Sequence, residues 1–161
     1  MAPLPQLIED DIQAVDFALD ELLQKSEASA ALLIDKGGFL ITKTGLTQNY
    51  DTMTLAALAA ASFAATQSLA GLISETDFYS IYQQGQKFSL LVHNIDEQCL
   101  LTIVFKATIS VGAVKYYVGE TAKLVSRQLS IARERAPSQG LDLSMLNMAD
   151  PSSMFRRKKA A

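Results

Sequence analysis

Apolar residues at Ile8, Ile12, Val15, Leu19 and Leu22 return every three or four positions. That period predicts an amphipathic helix over about residues 5–27. Glu9, Asp10 and Asp11 fall in its first turns and Lys25 in its last, the signs that a helix dipole favours. These acids are expected to face solvent. Two short apolar runs follow, at 31–34 and 39–42, separated by Asp35-Lys36-Gly37-Gly38. The glycines can supply the positive φ of a tight turn, so the pair reads as a hairpin. Asp51 is placed to cap a second helix over about 52–74. Three strands are expected next, at 78–82, 88–92 and 100–105, with turns at 83–86 and at Asp96-Glu97. Connections this short favour antiparallel neighbours. A third helix is expected from 112 to 135, ended by Pro137. The order α-β-β-α-β-β-β-α predicts an α+β domain: a five-stranded antiparallel sheet with helices packed on it.

The second helix departs from the ordinary pattern, because residues 52–74 include no charged side chain. Leu55, Leu58, Leu69 and Leu72 share one stripe, which is expected to pack on the sheet. A second stripe carries Ala57, Ala60, Ala61, Ala64 and Ser68. Three readings compete: a membrane span, an alanine-rich surface helix, or a helix covered by its own sheet on one side and by a partner on the other. The segment is long enough to span, but it is rich in Ala, Ser and Thr and sits between strands of one domain. The partner-covered helix is favoured, since an apolar patch of this extent marks an interaction site. Phe78, Tyr79, Ile81 and Tyr82 point the same way, placing large apolar groups on both faces of one strand, where aromatic anchors suit an interface. A strand covered by helices on both faces would give the same pattern.

Composition narrows the chemistry. The chain has 161 residues, 49% apolar and 19% charged, which is enough for one domain with a core. Residues 1–136 are expected to form that domain and 137–161 a flexible tail with a basic end, Arg156, Arg157, Lys158 and Lys159. The net charge of -3 argues against a nucleic-acid binder, which needs clustered cations. Cys99 is the one cysteine, and the N-terminus lacks the basic and apolar regions of a secretory signal. A cytoplasmic location is expected on those grounds. His93, the one histidine, is expected to be structural or solvent-facing. Cys99 is expected to be a small buried hydrophobe, with no third residue to orient the pair. Gly37-Gly38 lacks the ending of a phosphate loop and joins two strands. No metal site, cofactor site or enzyme constellation is expected.

The element order and several strings resemble the roadblock family, and within it the bacterial MglB type. The strings are Ala31-Leu32-Leu33-Ile34-Asp35-Lys36-Gly37-Gly38, Asp51-Thr52-x-x-Leu55-Ala56, Ala64-Ala65-Thr66-Gln67-x-Leu69-Ala70, Gly85 in its polar turn, and Val111-Gly112-x-Val114-Lys115. The resemblance implies a profilin-like fold, with helices one and three on one sheet face and helix two on the other. It also implies a dimer in which the second helices pair and the third strands extend the sheet. The dimer then offers a platform to a small Ras-like GTPase of the MglA type, in cell polarity or motility. Three features depart from the MglB pattern: Ala61-Ser62 where Gly-Asn is frequent, Lys106 where an acid is frequent, and the basic tail.

Under that resemblance, mechanism is bounded by arginine. An arginine finger raises GTP hydrolysis by about 10³–10⁵, but no Arg precedes Arg127. A platform built on the second helix therefore has no such finger, and activation would have to select a competent GTPase conformation. The expected function is a homodimeric, GTPase-activating regulator. The alternatives are a non-catalytic scaffold or adaptor and a self-assembling structural protein. For the tail, a disordered end without a role stands beside a short helix of Leu141, Leu143, Leu146 and Met148 docking on a partner and a basic run contacting an acidic partner or, less favourably, an anionic membrane.

Overall fold

The computed structural model describes residues 4–135. The tail and its basic residues 156–159 lie outside the described residues. Eight elements follow in the expected order: α1 (Glu9–Ser26), β1 (Ala30–Asp35), β2 (Leu40–Gly45), α2 (Thr52–Leu72), β3 (Ser80–Gln84), β4 (Phe88–Asn94), β5 (Cys99–Lys106) and α3 (Val111–Glu134). The strands form one sheet in the order β2-β1-β5-β4-β3, and every neighbouring pair is antiparallel. β1 and β5 are central and nearly continuously apolar, so their side chains are buried on both faces. β2 and β3 are the edges.

Strand alternation sorts the core into two layers. Ala31, Leu33, Leu91, Leu101, Ile103 and Phe105 meet Val15, Leu19 and Leu22 of α1 and Val114, Val118, Val125 and Leu129 of α3. The opposite faces, Ala30, Leu32, Ile34, Val92 and Leu100, meet Ala56, Ala59, Ala60 and Phe63 of α2. Helices one and three thus share one face and helix two takes the other, as expected.

Of the α1 acids expected to face solvent, Glu9, Asp10 and Asp20 do; Asp11 corrects the expectation. Asp11 is fully buried. It accepts a hydrogen bond from the Ile8 backbone N–H (2.9 Å), one from Gln128 (2.8 Å) and two from the Arg135 guanidinium (2.8 and 2.9 Å). Those bonds, the guanidinium's foremost, outweigh the cost of burial and hold the carboxyl well below the usual carboxylate range. Asp16 and Asp20 accept from the hydroxyls of Thr42 and Thr44 and tie α1 to β2.

The first hairpin turns through Gly38 at φ +95, a conformation that L side chains rarely adopt. A Cβ there would stand 3.1 Å from the Cα of Ala57, so the hairpin tip lies directly on the α2 backbone. α2 begins where Asp51 accepts from the N–H groups of Met53 (3.0 Å) and Thr54 (3.2 Å), as a capping residue does. It ends where Ser74 adopts a positive φ and the Glu75 N–H donates to the Ala70 carbonyl.

Candidate functional site: an uncharged helix beside an open sheet edge

α2 is long and apolar enough to cross a membrane, but it lies on the sheet. The side it presents corrects the sequence reading. Leu58, Leu69 and Leu72 do not pack on the sheet; they are 63%, 57% and 81% exposed. Only Leu55 of that stripe is partly buried. The sheet side is made of Ala56, Ala59, Ala60, Phe63 and Ala70. The small residues let α2 approach β1 closely, and Phe63 fills the remaining space. Ala60 therefore belongs to the core, at 5% exposure, and a partner cannot reach it. Ala57, Ala61, Ala64 and Ser68 are exposed. The outer face thus combines these small residues with Met53, Leu58, Leu69 and Leu72, a broader and more apolar surface than the alanine stripe alone.

The strand beside it also shifts. The strand begins at Ser80, two residues later than expected, with the Tyr79 carbonyl just before it accepting from the Asn94 N–H of β4 (2.8 Å). Phe78 precedes it, and its backbone is gripped at both groups by Gln67: the Gln67 amide donates to the Phe78 carbonyl (2.9 Å) and accepts from its N–H (3.1 Å). This side chain fastens α2 to the start of β3. Tyr79 is exposed. Ile81 turns toward the α2 layer, and Tyr82 toward the α1–α3 layer, where it stacks on Phe105 with centroids 6.1 Å apart. β3 pairs with β4 alone, so its outer row of backbone groups is open to another strand.

α2 leaves one end of its sheet face uncovered. There, an apolar groove of about 670 Å³ is lined by Leu46, Tyr50, Leu55, Phe88, Leu90 and Val104, with Lys106 at its rim. The Tyr50 hydroxyl is buried without a hydrogen-bond partner among the described residues, and burial raises its pKa. The sequence reading missed this groove, because its lining comes from four separated segments.

Candidate catalytic groups are not brought together. The β4–β5 register sets His93 opposite Leu101, not Cys99. His93 is half-buried, and burial, with the charge of Lys115, lowers its pKa. Cys99 is buried, and burial, with the nearby Asp96 charge, pushes its thiol up to about 12, the opposite of an activated nucleophile. No group of three potential metal ligands occurs among the described residues. Arg127, Arg133 and Arg135 lie on or just beyond α3, in the layer opposite α2. Arg133 is held by Asp96 (2.6 Å) and Gln98 (2.9 Å) and Arg135 by Asp11. The surface of α2 and β3 contains no arginine.

The Roadblock/LC7 domain model matches residues 14–105. The chain belongs to the roadblock family. Solved structures agree over most of the chain. An MglB described as having a tetrameric arrangement is 32% identical, covering 82% of this chain and 99% of its own, with a TM-score of 0.74. The gliding protein MglB of Thermus thermophilus is 30% identical, covering 81% and 99%, with a TM-score of 0.73. Myxococcus xanthus MglB is 28% identical, covering 81% and 98%, with a TM-score of 0.75. A profilin from Acanthamoeba castellanii shares the fold alone, at 16% identity and a TM-score of 0.51. None of the curated proteins matches the chain. The roadblock match spans α1 to β5 and stops short of α3.

Proposed function

We propose that this roadblock protein is a homodimeric regulator of a small Ras-like GTPase of the MglA type, acting in the cytoplasm in cell polarity or motility. The observation that carries this reading is the uncharged outer face of α2 beside the open edge of β3, on a chain similar to MglB structures over nearly their whole length. Antiparallel joining of two β3 edges would continue the sheet and set the two α2 helices side by side. Ala57, Ala61, Ala64 and Ser68 then form a shallow surface onto which a GTPase can seat closely. With every described arginine in the opposite layer, activation acts by selecting the GTPase conformation in which its own residues are aligned. The tetrameric arrangement named for one relative favours assembly beyond the dimer as a second reading.

The test has two parts. Light scattering at micromolar concentration is expected to give a dimer, and a monomer at high concentration would refute the dimer. Single-turnover GTP hydrolysis by an MglA-type GTPase is expected to accelerate when this protein is added. Ala64→Arg is expected to abolish the acceleration, since a charge buried without a counter-ion costs several kcal/mol. Binding without acceleration would make the protein a scaffold.

A further inference from the structure

The outer faces of α1 and α3 have no assigned role; they are largely charged, yet large apolar side chains stand exposed among the polar ones. A groove of about 370 Å³ runs between the two helices, with Phe17, Leu124 and Ile131 among its apolar lining and Glu21, Arg127 and Gln128 among its polar lining. Phe17 is 68% exposed, Leu124 53% and Ile131 46%. The solvent side of a surface helix ordinarily carries polar residues. Three large apolar side chains meeting along a groove call for a cover.

We propose that residues 141–148 of the same chain dock in this groove, with Arg156 to Lys159 lying along the acidic surface of α1. The location of the α3 end is the first argument. α3 stops at Glu134, and Arg135 is fixed to Asp11 at the start of α1. The chain therefore continues from the end of the groove itself. Ile131 lies about 6 Å and Leu124 about 17 Å back along the helix axis from Arg135 at 1.5 Å per residue. The five residues Ala136-Pro137-Ser138-Gln139-Gly140 reach about 17 Å when extended, and Pro137 cannot continue the helix.

Composition is the second argument. Leu141, Leu143, Met145, Leu146 and Met148 place five apolar side chains within eight residues immediately after that linker. Charge is the third. α1 and its cap carry Glu9, Asp10, Glu21 and Glu27 besides Asp11, Asp16 and Asp20, which are engaged by Arg135, Thr42 and Thr44, against the single cation Lys25, itself paired with Glu21. The four basic residues of the tail supply the opposite sign. A docked segment covers the α1–α3 layer and leaves α2 and β3 open, so this proposal stands apart from the reading of the α2 surface.

Amide hydrogen exchange on the full chain tests it. Residues 141–148 are expected to exchange at least about tenfold more slowly than an unprotected chain. Phe17→Asp and, separately, Ile131→Asp are expected to remove that protection while β5 amides stay protected, which reports an intact fold. Raising salt to about 0.5 M is expected to weaken protection, because screening reduces the attraction between the basic run and α1. The double variant Phe17→Cys with Leu146→Cys is expected to oxidise within one chain, since Cys99 is buried. Unprotected exchange in the wild-type chain would overturn the proposal. So would protection that survives both groove variants, or a disulfide that forms only between chains.

Discussion

Asp11 is the residue on which the α1–α3 layer depends most. It is buried, ionised and bound by groups from three places in the chain, so an amide in its place removes the charge opposite Arg135 and sets an NH2 donor against donors at one of the two oxygen positions. Breaking a buried pair costs about 3–5 kcal/mol, and Arg135 can still reach water, which places Asp11→Asn toward the lower end. The pH dependence follows from the sign of the shift. The folded carboxyl titrates below its usual value of 3.8, so its contribution is fully present above about pH 4. It is lost as pH falls toward the folded value. Urea unfolding at pH 7 is expected to separate wild type from Asp11→Asn clearly, and the difference is expected to shrink at pH 3. A constant difference would mean that shape, not charge, is what Asp11 supplies. No local pattern in the sequence singles out this residue. It sits among Glu9 and Asp10 in a first turn where acids are ordinary, and its partners lie 117 and 124 positions away.

At the scale of elements, the helices and central strands were legible because their periods are strong. β1 and β5 read as continuous apolar runs, and Asp51 and Pro137 mark helix limits. The rotation of α2 was not legible. Its circumference is uncharged and, Gln67 apart, made of apolar or small residues and threonines, so hydrophobicity alone does not distinguish the buried side. Size decides it: the hairpin tip at Gly38 and the β1 surface admit alanines at close range, and the leucines are left outside. The start of β3 was misplaced because Phe78 and Tyr79 look strand-like, whereas Gln67 occupies the Phe78 backbone groups before sheet pairing begins. Two substitutions separate the sides of α2. Ala60→Leu overfills the sheet side and is expected to cost about 1–3 kcal/mol, lowering the melting temperature at every protein concentration. Leu69→Ser removes only outer apolar surface. It is expected to leave the monomer's stability nearly unchanged and to shift the dimer dissociation constant upward, as read by sedimentation across a dilution series. If Leu69→Ser unfolds the monomer instead, α2 packs differently from the arrangement described.

At the scale of the molecule, the sheet separates two surfaces of opposite character. One face offers an uncharged helix and an open strand edge. The other holds the described arginines, two of them engaged in ion pairs. If GTPase activation occurs on the first face, Arg127→Ala is expected to change stimulated hydrolysis by less than about twofold, since a true arginine finger contributes about 10³–10⁵. A loss of that larger size would move the GTPase to the α3 layer and overturn the indirect mechanism. The ion pair between Asp11 and Arg135 has a further consequence, for handling the molecule. It brings the entry of α1 and the exit of α3 to one corner, in the layer facing away from α2. A fluorophore, affinity tag or surface anchor attached near either point therefore occupies the same corner. A sensor chip loaded through residues beside Asp11 or Arg135 would display α2 and the β3 edge toward solution, and labels placed at those two points would report on each other rather than on a molecule seated on α2.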